Sequence, residues 1–148
     1  MNAQICLEKL KLCGVLSFAT VDKNGAPQIR CISAIHYEPD FLYFFTARGK
    51  TFCDELLSDG RVQILAYTQF KEMIRLSGKA VPAESQEEKI NTIFAEQPYL
   101  ANVYPGDTRN IGIIFELKDF NIEYFNLGVK PIFREVYTVG QAETEKKG

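Results

Sequence analysis

Two short stretches of this 148-residue chain concentrate the residue types that hold an anion. The first is Arg30, in the middle of the run Pro27-Gln28-Ile29-Arg30-Cys31-Ile32-Ser33-Ala34-Ile35. On a strand with a two-residue period, Arg30 shares a face with Gln28, Ile32 and Ala34. Taken alone, such a residue also reads as an edge arginine, its stem on apolar neighbours and its head in water. The second stretch is Thr46-Ala47-Arg48-Gly49-Lys50-Thr51, between an aromatic strand and a short helix. Gly49 lets the backbone turn closely, hydroxyls and N–H groups supply donors, and the helix start adds partial positive charge. Arg48 and Lys50 add full charges, which is what a dianionic phosphate group requires. The same residues would also make an ordinary solvated loop.

The elements that must place these stretches follow from periodicity and turn signals. Apolar Ile5, Leu7 and Leu10 among Glu8, Lys9 and Lys11 predict a short amphipathic helix ended by Gly14. Residues 15–21 are strand-like, and Asp22-Lys23-Asn24-Gly25 is a hairpin signal. The partner strand is expected over 27–35 and the aromatic strand over 41–46. Thr51 is an expected N-cap for a helix over 51–57, with Asp54 in its first turn, stopped by Ser58-Asp59-Gly60. Strands follow at 61–68 and about 73–82. Ser85 and Glu88 have the spacing of a capping box before a helix with a buried stripe of Ile90, Ile93 and Phe94, closed by Pro98. A long strand region over 111–125, broken near Lys118-Asp119, and a last extended piece over 130–139 complete the chain. Residues 1–140 are expected to form a single domain and 141–148 a disordered tail. The expected fold is mainly β with peripheral helices: about six short strands in a closed antiparallel barrel.

Bulk properties exclude several classes. The net charge of −2 and pI near 5.5 argue against nucleic acid, which demands a basic excess. Cys6, Cys13, Cys31 and Cys53 form no C-x-x-C pair, and His36 is the one histidine, so no metal site is expected. The cysteines read as small buried apolar residues in a reducing compartment. No basic leader and no apolar run of bilayer length is present, so the expected location is cytoplasmic. Neither a G-x-G-x-x-G nor a G-x-x-x-x-G-K-[ST] motif occurs.

The ordered set of segments at 15–27, Arg30, 40–50 and Leu56 resembles the pyridoxamine 5′-phosphate oxidase-like FMN-binding split-barrel family. Met73-Ile74-Arg75-Leu76-Ser77-Gly78-Lys79-Ala80 is similar to the family's central strand, and the resemblance covers about residues 5–126. It implies a six-stranded split barrel, a homodimer and FMN in clefts at the dimer interface. By that resemblance Arg30 and Lys50 bind the FMN phosphate. Phe45, Thr46, Ala47 and Thr51 add side-chain and backbone contacts, and Cys31, Ile32 and Ser33 pass beside the isoalloxazine ring. Arg75 either lines the same groove or pairs with a carboxylate across the sheet. The oxidase's Ser-Arg-Lys run is replaced by Lys50-Thr51-Phe52. Its C-terminal tryptophan and Arg-x-His residues have no counterpart in this Trp-free chain. The resemblance therefore implies a flavin-dependent oxidoreductase rather than pyridoxamine phosphate oxidation itself. The related nitroimidazole-resistance (Nim) branch, with a nitroreductase reading, often has a histidine where this chain has Phe45-Thr46. A non-catalytic flavin-binding or electron-relay protein is the alternative from another class. Deazaflavin F420 and heme are the alternative cofactors; heme would have only His36 or a cysteine as axial ligand. No side chain is assigned as an indispensable acid or base.

Overall fold

The computed structural model describes residues 1–140; the tail expected at 141–148 lies outside the described residues. The first helix, α1 (Ala3–Cys13), starts where the Asn2 side chain accepts the Ile5 N–H at 2.8 Å and ends at Gly14, whose φ of +80° continues no helix. Then come β1 (Leu16–Val21), β2 (Pro27–Ile32), β3 (Ile35–Tyr37), β4 (Leu42–Ala47) and α2 (Thr51–Ser58). They are followed by β5 (Arg61–Tyr67), β6 (Glu72–Lys79), β7 (Val81–Pro82), α3 (Gln86–Glu96) and the one-turn α4 (Leu100–Val103). A 3₁₀ turn (Gly106–Ile111) leads to β8 (Gly112–Leu117), β9 (Phe120–Asn126) and β10 (Phe133–Val139).

The strands make two antiparallel sheets, ordered β10-β9-β6-β5-β1-β2 and β3-β4-β8-β7. Ten strands are present among the described residues: the extended segments expected along the chain number eight once the 111–125 region is broken, more than the about six of the expected barrel, and two of them each change sheets partway. The one expected over 27–35 breaks at Ser33 and Ala34, where the Ile35 N–H turns back to the Ser33 carbonyl at 2.9 Å. The one expected over 73–82 breaks at Ala80, whose N–H bonds the Gly60 carbonyl at 2.8 Å. Strands that pass between packed sheets do so through such bends. The expected break near Lys118-Asp119 separates β8 from β9.

Two capping expectations fail. Lys50, not Thr51, occupies the N-cap of α2, and no side chain caps it. Thr51 is the first helical residue, too far along for its hydroxyl to take the N-cap role. Ser85 precedes α3 with φ +55°, a left-handed conformation in place of the extended backbone typical of an N-cap, and no side chain caps that helix either.

The main core lies between the two sheets, closed by α1 and α2, and includes Phe18, Phe44, Phe115 and Phe120. A second cluster, with Tyr43, Phe45, Ile93, Phe94 and Ile114, fills the other face of the four-stranded sheet beneath α3 and α4. Alternate residues of β4 therefore enter different cores, and all six are buried. No helix among the described residues is long and apolar enough to cross a membrane.

Candidate functional site

A cleft of about 300 Å³ opens where β2, the β4 end, the α2 start and α4 meet. Arg30, Cys31, Ile32 and Ser33 line one wall, Phe45, Thr46 and Lys50 the other, with Tyr99 and Tyr104 from the α4 region across the mouth. The sequence stretches singled out above thus converge, although they are not neighbours in one sheet. Ala47 is buried beside the cleft and does not line it, and Thr51 points out to solvent. Arg48 turns away, donating to the Gly112 carbonyl at 2.8 Å.

Each wall has a local cause. The residues after Ala47 reverse direction through Gly49 at φ +93°, a region that favours glycine. This delivers Lys50 to the cleft, its Nζ 5.7 Å from the Tyr104 ring centre. Phe45 is fixed by edge-to-face packing on Phe94 at 5.3 Å and Tyr104 at 5.2 Å. Its ring occupies the place a Cβ on Gly112 would need, which is why β8 opens with glycine. Ser33 and the Tyr99 hydroxyl are 2.7 Å apart, tying the β2–β3 step to the approach of α4.

Arg30 is not the edge arginine with its head in water. Its guanidinium donates to the Thr20 hydroxyl at 2.5 Å and to Glu55 Oε1 at 2.6 Å, and it lies 4.5 Å over the Phe52 ring. Thr20 also donates to Glu55 at 2.6 Å, so the buried carboxylate is held by two donors. Such a charge-assisted network fixes the guanidinium plane at the cleft's edge. Since Glu55 offsets Arg30, Lys50 is the cleft cation without a carboxylate partner among the described residues. Below the loop, burial pushes the Cys53 thiol up, Asp54 adds to this, and Arg48 opposes it. Cys31, by contrast, is an exposed thiol on the cleft wall.

Glu55, Tyr99 and Tyr104 were missed in the sequence. Glu55 had a signal: it sits among Phe52, Cys53 and Leu56 on the buried face of α2, where a carboxylate demands a cationic partner. The tyrosines had none beyond standing just inside Pro98 and Pro105. Arg75 pairs with Glu123 at 2.8 Å across the sheet and does not line the cleft. His36 also stays outside, between Glu38 and Glu96 and stacked on Tyr43 at 4.6 Å. Among the described residues no group of His, Cys, Asp or Glu could hold a metal ion.

Residues 5–111 match the profile of the pyridoxamine 5′-phosphate oxidase family, and the chain belongs to that family. None of the curated proteins compared with the chain matches it in sequence. Its fold is similar to that of a NimC/NimA family protein from Clostridium acetobutylicum, at 22% identity over 93% of this chain and 92% of that one, TM-score 0.78. It is also similar to a pyridoxamine 5′-phosphate oxidase-related, FMN-binding protein from Nostoc punctiforme, at 18% identity over 92% and 87%, TM-score 0.67. A heme-binding protein from Mycobacterium smegmatis shares the fold at 14% identity, covering 98% of this chain and 61% of that one, TM-score 0.70.

Proposed function

We propose that this chain is an FMN-binding flavoprotein and works as a flavin-dependent oxidoreductase. The observation that carries the reading is the convergence of Arg30, Cys31, Ile32, Ser33, Phe45, Thr46 and Lys50 on one cleft. Family membership supports it, as does the FMN named for the Nostoc protein of like fold. The residues fit the group: an ammonium and a fixed guanidinium for the phosphate, and aromatic and aliphatic side chains for a flat ring. When bound, the flavin supplies hydride or electron transfer. The chain's own part is to bind and orient. Lys50 and Arg30 hold the anionic end, Glu55 and Thr20 keep Arg30 in place, and Phe45 backs the pocket without a titrating group.

Residues 1–140 act as one split-barrel domain, and two copies form a cytoplasmic homodimer. The outer face of the six-stranded sheet supports the dimer, with Ile29 exposed on β2 and Leu65 and Tyr67 on β5, one strand over across β1. A Nim-like nitroreductase is the second reading, supported by the fold shared with the Clostridium protein.

The test is a visible spectrum of the purified protein and mass identification of what denaturation releases. Bound FMN is expected; F420, heme or nothing would each contradict the reading. Arg30→Ala with Lys50→Ala should then weaken FMN by about 10²-fold or more, with little change for riboflavin, which lacks the phosphate. Turnover of NAD(P)H with a nitroaromatic or quinone separates an oxidoreductase from a pure binder.

A further inference from the structure

The chain has six arginines. Arg30 is paired with Glu55, Arg61 with Asp59, and both Arg75 and Arg134 with Glu123. Arg48 and Arg109 have no carboxylate partner among the described residues, and both line the same cavity, of about 450 Å³. This cavity shares no lining residue with the cleft described above. Its other wall is the first half of α3, including Glu87 and Asn91.

The two guanidiniums are held by different means, and neither means neutralises them. Arg48 donates one N–H to the Gly112 carbonyl at 2.8 Å and keeps its remaining donors. Arg109 lies 4.0 Å over the Phe94 ring, and its Nε is buried with no hydrogen-bond partner. A buried donor without an acceptor costs free energy that a ligand oxygen would recover. Gln86, on the same wall, does not supply that acceptor: its amide donates to the Ala83 and Ile114 carbonyls and accepts the Ile114 N–H. Against two positive charges the lining offers one negative charge, Glu87. The α3 N-terminus, without a capping side chain, adds partial positive charge on the same wall.

We infer that Arg48 and Arg109 form a second anion site, which takes a phosphoryl or carboxylate group of a small molecule. Two planar forks suit the oxygens of such a group, and stacking on Phe94 pre-orders one of them. The inference does not depend on which cofactor fills the cleft. The two sites are nonetheless neighbours: Phe94, which carries Arg109, packs edge-on against Phe45 of the cleft at 5.3 Å.

The test is a titration of the full chain with inorganic phosphate and, separately, succinate, followed by amide chemical shifts at low ionic strength. Saturable shifts at Arg48, Asn91, Arg109 and Asn110 are expected for at least one probe. Arg48→Gln and Arg109→Gln should each weaken that binding about tenfold or more, whereas Arg109→Lys should recover part of it. If Arg109→Gln does not fold, Arg48→Gln decides alone. Shifts confined to residues 30–33 and Lys50, binding undiminished in the arginine variants, or no saturable shift for either probe would overturn the inference. Loss of FMN from the cleft would leave these outcomes unchanged, so failure here is distinct from failure of the flavin reading.

Discussion

The two strands that wall the cleft are held in opposite ways. Every residue of β4 is buried, its side chains divided between two cores. On β2, an edge strand, Pro27, Gln28, Ile29, Arg30 and Cys31 are exposed or half-buried. A wall packed on both faces fixes positions, because close-packed side chains cannot shift without leaving voids. An edge wall keeps unpaired backbone and apolar side chains available to something else. The difference suggests a division of labour in which β4 sets the geometry and β2 is the wall left open to the proposed ligand and the proposed second copy.

The largest expected effect breaks the rigid wall. Phe44 is fully buried among Phe18, Phe52 and Phe115. Phe44→Ala should lower stability by about 3–5 kcal/mol in urea titration. Ile29→Ser on the open wall, 71% exposed, should change the stability of a separate protomer by less than about 0.5 kcal/mol. It should nevertheless weaken self-association in sedimentation; an unchanged dimer would remove β2 from the proposed interface.

A smaller effect lies away from the cleft, where α1 is pinned to the six-stranded sheet. Burial pushes the Glu72 carboxyl up, but hydrogen bonds from Tyr124, Lys9 and Thr68 outweigh it and leave the group below its usual range. A carboxylate lowered by folding stabilises the protein above its unfolded value of about 4.3, and that contribution is lost as pH falls through the folded value. Stability should therefore drop on acidification below pH 5 through this group. Glu72→Gln should flatten that limb, as followed by melting temperature against pH.

The smallest effect is kinetic. Burial pushes the Cys6 thiol up to about 11. Cys31 on β2 is exposed. At pH 8 a thiol reagent should label Cys31 first, while Cys6 and the buried Cys53 wait on unfolding. Bound FMN should protect Cys31; undiminished labelling of the loaded protein would place the ring elsewhere.

Much of this was legible in the sequence because local signals and global fold agree. The Asp22–Gly25 hairpin, the stripe of Ile90, Ile93 and Phe94, and the break near Lys118-Asp119 each follow from periodicity or turn chemistry alone. The order of segments carried the family, and with it most of the cleft. What stayed hidden are long-range pairings. Nothing near Arg30 announces Glu55, which is 25 residues away in sequence. The sheet changes at Ser33-Ala34 and Ala80 look like uninterrupted strand, since a bend between packed layers needs no proline or glycine of its own. Arg48 was read with its loop neighbours, yet one turn of backbone sends it to the opposite side.

Ser33 and Ala34 are the whole of the connection between β2 and β3, which lie in different sheets. A molecule seated against these two residues therefore acts as a rivet through both layers. Loading it should make the layers come apart together rather than one after the other, and steepen the melting transition as well as raise it.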